Sequence, residues 1–196
     1  AHGEPLGADA LKAMREFYQW NEEPFAVPED VKAYFAELQK GYSKQHAEYD
    51  AMFKAYQKAY PELYLKWQAW HEKKLPEALK NDPRLFSASE PKATRIVSGE
   101  ALNLFAEYLP NLFGGSADLA PSNKTELKGK GFFGVENRAG ANIHFGIREF
   151  AMAAICNGIQ LYGGFHAYCA TFLVFTDYLK PALRLSAIMH QPVVYV

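Results

Sequence analysis

The sequence predicts an α/β fold in which a doubly wound, mostly parallel sheet follows a helical arm. In the second half of the chain, short apolar runs alternate with helical segments, which is typical of parallel strands joined by crossover helices. In the first half, apolar residues recur every three or four positions between prolines. The last run, 192–196, reads as a buried strand whose carboxyl end would face a ligand crevice, so we expect a piece of a longer polypeptide.

The predicted arm contains a helix over 8–20 and a long amphipathic helix or helical pair over 30–59. Pro61 restarts the helical pattern as a stripe of aromatic and leucine side chains. Core packing is the ordinary meaning of such a stripe. The alternative is a non-catalytic interaction module, in which the stripe from Tyr42 to Leu75 binds a partner protein.

A change of composition near Ser87 to Pro91 separates the arm from the α/β region. The α/β region ends in the strand predicted at 192–196, and a turn is expected at the glycine pair Gly114 and Gly115. The other predicted elements are a helix from Thr94 to Leu109, an apolar run at 111–113, a strand at 142–145, a helix at 148–162, a strand at 168–173 and a helix at 174–190.

Composition and charge exclude several classes of partner. The formal net charge of −1 provides no field that would attract nucleic acid or an anionic membrane. Neither a signal peptide nor a membrane span is recognisable. Cys156 and Cys169 are the only cysteines and have no metal-ligand spacing, which favours a reducing, cytoplasmic setting.

Glu149 and three aromatic residues are candidates for a site that binds a ring. Glu149 opens a helix whose next turns are almost wholly apolar, so its carboxylate should lie at the rim of a buried element. Its ordinary reading is a first-turn acid beside Arg148 that complements the helix macrodipole. Phe172, Phe175 and Tyr178 recur every three residues and could form a flat slot for a heteroaromatic ring. Such a stripe is more often part of a core.

A phosphate site is a second hypothesis. Gly114 and Gly115 would allow close backbone approach in a loop, and Ser122 adds a hydroxyl in a tight turn. The hypothesis requires an arginine that binds the same phosphate oxygens, and Arg95 is the candidate. The ordinary reading of Arg95 is a charge on the surface of a helix. His2 lies in a proline–glycine segment, where a frayed terminus is the default, and the histidines show no metal-site spacing.

Five motifs occur in one order along the chain and together resemble the transketolase family. The likeness covers the whole chain, weakly over 30–90 and strongly from 93 to 196. It implies three segments: 1–26 as the tail of a diphosphate-binding domain, 27–90 as a helical linker and 91–196 as an incomplete pyrimidine-binding domain. The motifs are His-Gly-x-Pro-Leu from residue 2, Ala-Thr-Arg from 93, Gly-Gly-Ser-Ala-Asp-Leu-x-Pro-Ser-Asn from 114, Gly-Ile-Arg-Glu-Phe-Ala-Met from 146 and Thr-Phe-Leu-x-Phe-x-x-Tyr from 171.

The resemblance assigns roles on thiamine diphosphate to the first group of candidates. Glu149 matches the glutamate that hydrogen-bonds N1′ of the aminopyrimidine and promotes the imino form that removes the thiazolium C2 proton. Phe172, Phe175 and Tyr178 match the pocket for the pyrimidine ring, with Phe175 as the stacking phenylalanine. His2 matches a histidine close to both thiazolium and substrate, so it is a candidate for catalysis and for binding both.

The same resemblance places Arg95 and Ser122 at the phosphate of a sugar substrate, and Asp118 near the cofactor or a dimer contact. It implies a homodimer with the cofactor between subunits, and a divalent cation, magnesium or calcium, whose ligands lie before His2 and outside this chain. The implied activity is transfer of a two-carbon ketol unit from a ketose phosphate to an aldose phosphate in the pentose phosphate pathway. The isolated chain should be inactive. Dihydroxyacetone synthase and deoxyxylulose-phosphate synthase are alternative relatives.

Overall fold

The structure is a computed structural model that describes residues 2–21, 23–72, 74–87 and 90–196. Two compact units make up the chain, Ala1–Pro61 and Glu62–Val196, and each is described by itself. The predicted composition boundary near Ser87 to Pro91 includes residues 88 and 89, which lie outside the described ranges. The division into three segments therefore stays a prediction.

The first unit contains α1 (Ala8–Phe17) and α2 (Glu29–Ala59). Pro28 stands before the first residue of α2, where a proline fits because the early N–H groups of a helix have no partner within it. The segment predicted as one helix or two is one continuous helix of 31 residues.

Aromatic side chains of α2 stack on one another along the helix surface. The ring centroids of Tyr49 and Phe53 lie 5.8 Å apart, and those of Phe53 and Tyr56 lie 6.3 Å apart, with the planes inclined by only 10° in both pairs. None of the described residues of α2 or of α3 (Pro61–His71) is buried. The expectation that this stripe packs into a core is therefore wrong for the described residues, where several of its rings stack on each other and stay largely exposed.

The helices of the second unit follow the predicted order, and the predicted helices at 94–109 and 148–162 are confirmed to within one residue at each end. Among the described helices, none is long and apolar enough to cross a bilayer. After α3 come α4 (Glu77–Lys80), a 3₁₀ turn (Pro83–Leu85), α5 (Thr94–Tyr108), α6 (Ala120–Asn123), α7 (Glu149–Tyr162), a second 3₁₀ turn (Leu173–Phe175) and α8 (Thr176–Ile188).

Within the described residues, four parallel strands form one sheet in the order β2-β1-β3-β4, which confirms the predicted α/β fold class. The predicted strand at 168–173 begins two residues earlier and stops at Ala170, because the following residues turn into the 3₁₀ helix. The strands are β1 (Leu112–Ser116), β2 (Asn142–His144), β3 (His166–Ala170) and β4 (Val194–Tyr195).

The glycine pair lies inside β1, so the predicted loop at Gly114 and Gly115 is wrong. A Cβ on Gly114 would collide with the carbonyl oxygen of Tyr168 in β3, and one on Gly115 with that of Ile143 in β2. Strand β1 is central and its neighbours approach it closely on both sides, which only residues without a side chain allow. These backbone groups pair within the sheet and do not form a phosphate loop.

Two buried clusters cover the two faces of the sheet. Alternate residues of β3 point to opposite faces: Tyr168 joins the cluster with α5, whereas Ala167 and Cys169 join the cluster with α7 and α8. Helices on both faces of a parallel sheet are the arrangement of a doubly wound fold. The first cluster contains Leu79, Leu102, Ala106, Leu109, Leu112, Leu127 and Tyr168, and the second contains Ala117, Phe145, Met152, Ala153, Cys156, Ala167, Cys169, Leu179 and Ala182.

Candidate functional site

The carboxyl ends of β1, β2 and β3 meet at one edge of the sheet because the strands are parallel. The chain leaves β1 towards β2 on one side and later returns to β3 on the other, so this edge is a topological switch point, where such sheets bind ligands. The carbonyl of Ala170 accepts hydrogen bonds from the Ser116 hydroxyl and the Ala117 N–H, both at 3.0 Å. These bonds hold the ends of β1 and β3 together.

Glu149 is the first residue of α7 and follows β2 after a four-residue turn. Its side chain is half-buried, while the next turns of α7 carry the fully buried Met152, Ala153 and Cys156. None of the described residues forms a hydrogen bond or an ion pair with its carboxylate. The structure thus leaves a carboxylate at the rim of the sheet edge with its acceptor positions available.

The three predicted rings form a stack after β3. The centroids of Phe172 and Phe175 lie 6.4 Å apart with planes inclined by 11°, and those of Phe175 and Tyr178 lie 6.2 Å apart with planes inclined by 24°. Side chains three residues apart eclipse each other in a 3₁₀ turn, which explains the stacking of the first pair. Phe175 is half-buried, whereas Phe172 and Tyr178 are exposed. Flat apolar faces at this edge can receive another ring.

Thr171 follows the last residue of β3 and directly precedes Phe172, and the sequence did not single it out. The residue is 8% exposed, and its Oγ1 has no hydrogen-bond partner among the described residues. Its N–H donates to the carbonyl of Val196 at 3.2 Å, so its backbone continues the sheet edge. A buried hydroxyl without a partner costs folding free energy, which marks Thr171 for attention. Its position at the head of the Thr-Phe-Leu motif was the available signal.

Arg95 and Ser122 lie on two helices that pack together, α5 and α6. Both side chains are exposed. The packing depends on Gly99, where a Cβ would stand 2.5 Å from the carbonyl oxygen of Lys124 at the end of α6. A groove of about 510 Å³ runs between the two helices and has the basic side chains Lys124 and Lys128 and the acidic Glu100 and Glu126 on its walls.

The remaining candidates, His2 and Asp118, are both exposed. His2 lies in a turn of the first unit. Asp118 follows β1 at the sheet edge and adopts a left-handed backbone with φ of 59°, which aspartate tolerates better than most residues. Within the described ranges, histidine, cysteine, aspartate and glutamate form no cluster of three or more that could hold a metal ion.

Cys156 and Cys169 are free and buried between α7 and β3. The hydrogen bond to Cys156, together with burial, raises the pKa of the Cys169 thiol. The thiolate is the nucleophilic form of cysteine, so Cys169 stays an unreactive part of the core.

Comparison with known proteins identifies the family. The family described as "Transketolase, pyrimidine binding domain" matches residues 90–196, and the one described as "Transketolase, thiamine diphosphate binding domain" matches residues 1–76. The chain belongs to the transketolase family. The resemblance inferred from the five motifs is thereby confirmed.

Individual transketolases are similar to the chain over nearly its whole length. The transketolase of Halalkalibacterium halodurans is 46% identical over 197 residues, which cover 100% of this chain and 30% of that protein. The solved structure of transketolase from Leishmania mexicana is 31% identical with a TM-score of 0.85, covering 97% of this chain and 29% of the other. Transketolase from Pichia stipitis, in complex with sedoheptulose 7-phosphate, is 36% identical with a TM-score of 0.82, covering 97% of this chain and 29% of the other. The chain thus spans about 30% of the length of the transketolases that it matches.

Proposed function

We propose that this chain provides the pyrimidine-binding half of the cofactor site in a longer transketolase. The parent enzyme would transfer a two-carbon ketol unit from a ketose phosphate to an aldose phosphate with thiamine diphosphate, within the pentose phosphate pathway. The unpaired carboxylate of Glu149 at the switch-point edge is the observation that carries the proposal. The family matches at both ends of the chain support it.

The described residues fit the pyrimidine part of the cofactor. The stacked rings of Phe172, Phe175 and Tyr178 offer flat apolar faces to an aromatic ring. A heteroaromatic ring also needs partners for its nitrogens, and Glu149 supplies a free acceptor at the same edge. The hydroxyl of Thr171, the residue before Phe172, has no partner among the described residues, and a rotation of its side chain would make it a further donor.

Glu149 would hold a proton between its carboxyl oxygen and N1′ of the pyrimidine. When bound, thiamine diphosphate supplies an acidic C–H on its thiazolium and an amino group on its pyrimidine that can act as the base. The apolar rings exclude water from the pyrimidine faces, so the hydrogen bond at N1′ would form in a low-dielectric setting where it is strong. The turns of α7 that follow Glu149 are anchored in the core through Met152, Ala153 and Cys156, which keeps this carboxyl in place.

Arg95 and Ser122 would bind the phosphate of the sugar substrate. A guanidinium and a hydroxyl are both suitable donors to phosphate oxygens, and the helices that carry them, α5 and α6, pack against each other. A transketolase crystallised with a sugar phosphate, sedoheptulose 7-phosphate, is similar to this chain. We further propose that His2 contacts thiazolium and substrate, and that Asp118 lies at the cofactor or the dimer contact.

The proposed site also needs a second subunit and a metal ion. A homodimer would bring the diphosphate half of the site from a second subunit, with magnesium or calcium held by residues outside this chain. This arrangement would make the isolated chain inactive. A cytoplasmic location without nucleic-acid or membrane partners remains a prediction from composition.

The decisive experiment replaces Glu149 in the full-length parent enzyme. Glu149→Ala and Glu149→Gln should lower turnover by about 10² to 10⁴-fold, because a positioned proton-transfer group contributes that much. Glu136→Ala is the matched control, since Glu136 is an exposed acid in the segment between α6 and β2. Near-normal turnover of Glu149→Ala would contradict the proposal and favour the interaction module. Assays with aldose-phosphate acceptors then separate a transketolase from dihydroxyacetone synthase and deoxyxylulose-phosphate synthase.

A further inference from the structure

We propose that Arg148 is a positioning residue that holds Glu149 in place by closing the turn between β2 and α7. The inference rests on the proposed function, since it concerns the carboxylate assigned there to N1′. The juxtaposition that carries it is the hydrogen bond from Nη1 of Arg148 to the main-chain carbonyl of Phe145, at 2.8 Å. Arg148 itself is not expected to touch the cofactor.

Two hydrogen bonds close this turn. The N–H of Arg148 donates to the carbonyl of Gly146 at 2.8 Å, and its guanidinium donates to the carbonyl of Phe145 one residue earlier. Gly146 has φ of 65°, a conformation that residues with a Cβ rarely adopt. A Cβ at this position would stand 2.5 Å from Nη1 of Arg148. Glycine is therefore required both for the backbone and for the path of the arginine side chain.

Both ends of the turn are fixed in the core. Phe145 is 5% exposed and belongs to the cluster beneath α7 and α8, so its carbonyl is a stationary acceptor. The carbonyl of Arg148 accepts the N–H of Met152 at 2.8 Å, and Met152 is fully buried. Glu149 thus lies between two anchored groups. Among the described residues, the hydrogen bond from the Arg148 guanidinium is the only side-chain hydrogen bond that closes this turn.

The same bond directs the Arg148 guanidinium to the Phe145 carbonyl. An oppositely charged neighbour in the sequence is a potential ion-pair partner of Glu149. Across the described residues, however, no ion pair joins Arg148 and Glu149, and the guanidinium instead reaches back to Phe145. The arginine therefore orders the turn without occupying the carboxylate that the ring nitrogen would need.

The test compares Arg148→Met with Arg148→Lys in the full-length parent enzyme. Methionine keeps an unbranched, flexible stem but has no donor, whereas the lysine ammonium can still donate to the Phe145 carbonyl. At saturating thiamine diphosphate, Arg148→Met should lower kcat by about tenfold or more, because a small displacement of a catalytic group is costly. Arg148→Lys should recover most of that loss. Arg184→Met is the control, as Arg184 is exposed on α8.

A second variant tests the same turn by changing Gly146. Gly146→Ala should lower kcat as Arg148→Met does, whereas Gly134→Ala, where a Cβ would meet no atom within 4 Å, should not. Melting temperature and circular dichroism are recorded for every variant, so the comparison can continue with Gly146→Ala if Arg148→Met does not fold. If the loss of kcat disappears at higher cofactor concentration, the positioning role is overturned. The same holds if the loss of kcat only matches the loss of folded protein.

The outcomes separate this inference from the proposed function. If Glu149→Ala loses turnover but both Arg148→Met and Gly146→Ala keep kcat within about twofold, only the positioning role is overturned. Equal losses in Arg148→Lys and Arg148→Met also overturn it, because the hydrogen bond would then not be the cause. If Glu149→Ala itself keeps its turnover, the proposed function fails first.

Discussion

The hydroxyl of Tyr168 donates a hydrogen bond to the main-chain carbonyl of Thr125 at 2.9 Å, across 43 positions of the chain. Tyr168 lies in β3 and is fully buried, and burial raises the pKa of its hydroxyl, which keeps it protonated as a donor. Asn142 of β2 binds the same segment, accepting from the N–H of Leu127 at 2.8 Å and donating to its carbonyl at 2.9 Å. The sheet thereby holds the segment that follows α6.

Replacing Tyr168 should therefore loosen the segment after α6. Tyr168→Phe leaves the buried carbonyl of Thr125 without this donor, which should lower the stability of the parent enzyme by roughly 1–2 kcal/mol. The change is measured as a fall in melting temperature. Tyr162→Phe is the control, because the Tyr162 side chain is 83% exposed and should leave the melting temperature unchanged. Equal melting temperatures for both variants would contradict the prediction.

Phe175 stands in the middle of the ring stack, so its removal should weaken cofactor binding most. For Phe175→Ala we expect the half-saturating concentration of thiamine diphosphate to rise by up to about tenfold, the equivalent of one aromatic pair. The measurement is activity against cofactor concentration. Leu173→Ala is a close control, since Leu173 is 85% exposed in the same 3₁₀ turn. An unchanged half-saturation value for Phe175→Ala would remove the ring slot from the site.

Arg95 should discriminate phosphorylated from unphosphorylated sugars. Arg95→Ala removes charge-assisted donors, so KM for a phosphorylated sugar should rise by about tenfold or more, and KM for the unphosphorylated sugar much less. Steady-state kinetics with both substrates give the ratio. Arg138→Ala provides a comparison with another exposed arginine, which lies over the ring of Phe133. A parallel rise in both KM values would show that Arg95 does not bind the phosphate.

Thr171 offers a stability test that is independent of catalysis. Its buried hydroxyl has no partner among the described residues, so Thr171→Val should stabilise the cofactor-free parent enzyme by roughly 1 kcal/mol. The matched comparison is Thr176→Val, because the Thr176 hydroxyl donates to the carbonyl of Leu173 at 2.6 Å and its loss should not stabilise. A lower melting temperature for Thr171→Val would mean that its hydroxyl has a partner in the folded enzyme.

Asp82 should make the stability depend on pH in the acid range. Its carboxylate accepts hydrogen bonds from the guanidinium and the N–H of Arg84 and from the hydroxyl of Tyr108, and Arg84 also pairs with Glu107. The hydrogen bonds from Arg84 come first among the causes that hold the pKa of Asp82 well below its usual 3.8. Because the pKa of Asp82 is lower in the folded than in the unfolded state, its carboxylate stabilises the folded state at pH values above the unfolded-state pKa. This stabilisation is lost as the pH falls through the folded-state pKa.

The corresponding variant is Asp82→Asn, with melting temperatures recorded from neutral pH to below pH 4. At neutral pH it should melt at a lower temperature than the wild type, and the difference should shrink as the pH falls below about 4. Asp177→Asn is the control, because the Asp177 carboxylate is exposed and pairs only with Lys180 three residues away among the described residues. A pH-independent difference for Asp82→Asn would exclude the carboxylate as the titrating group.

Local signals were sufficient for the helices but not for the strand ends. Pro28 and Pro61 bound α2 as expected, because proline acts on its own turn and the one before it. The end of β3 depends on whether the next residues find a paired strand or fold into a 3₁₀ turn, which the run from Tyr168 to Leu173 does not reveal. The glycines of β1 were misread for the same reason, since the strands that crowd them come later in the chain.

The family, the fold class and the chemical groups at the site could be read from the amino-acid sequence, because motifs such as Gly-Ile-Arg-Glu and Thr-Phe-Leu are contiguous in the chain. How these groups are paired and oriented became visible only in the folded chain. Among the described residues, the fold leaves the Glu149 carboxylate unpaired, directs Arg148 to the Phe145 carbonyl and buries the hydroxyl of Thr171 without a partner. A hydrogen bond depends on where a side chain points and on which atoms the sheet brings near it, and neither can be read from spacing along the chain.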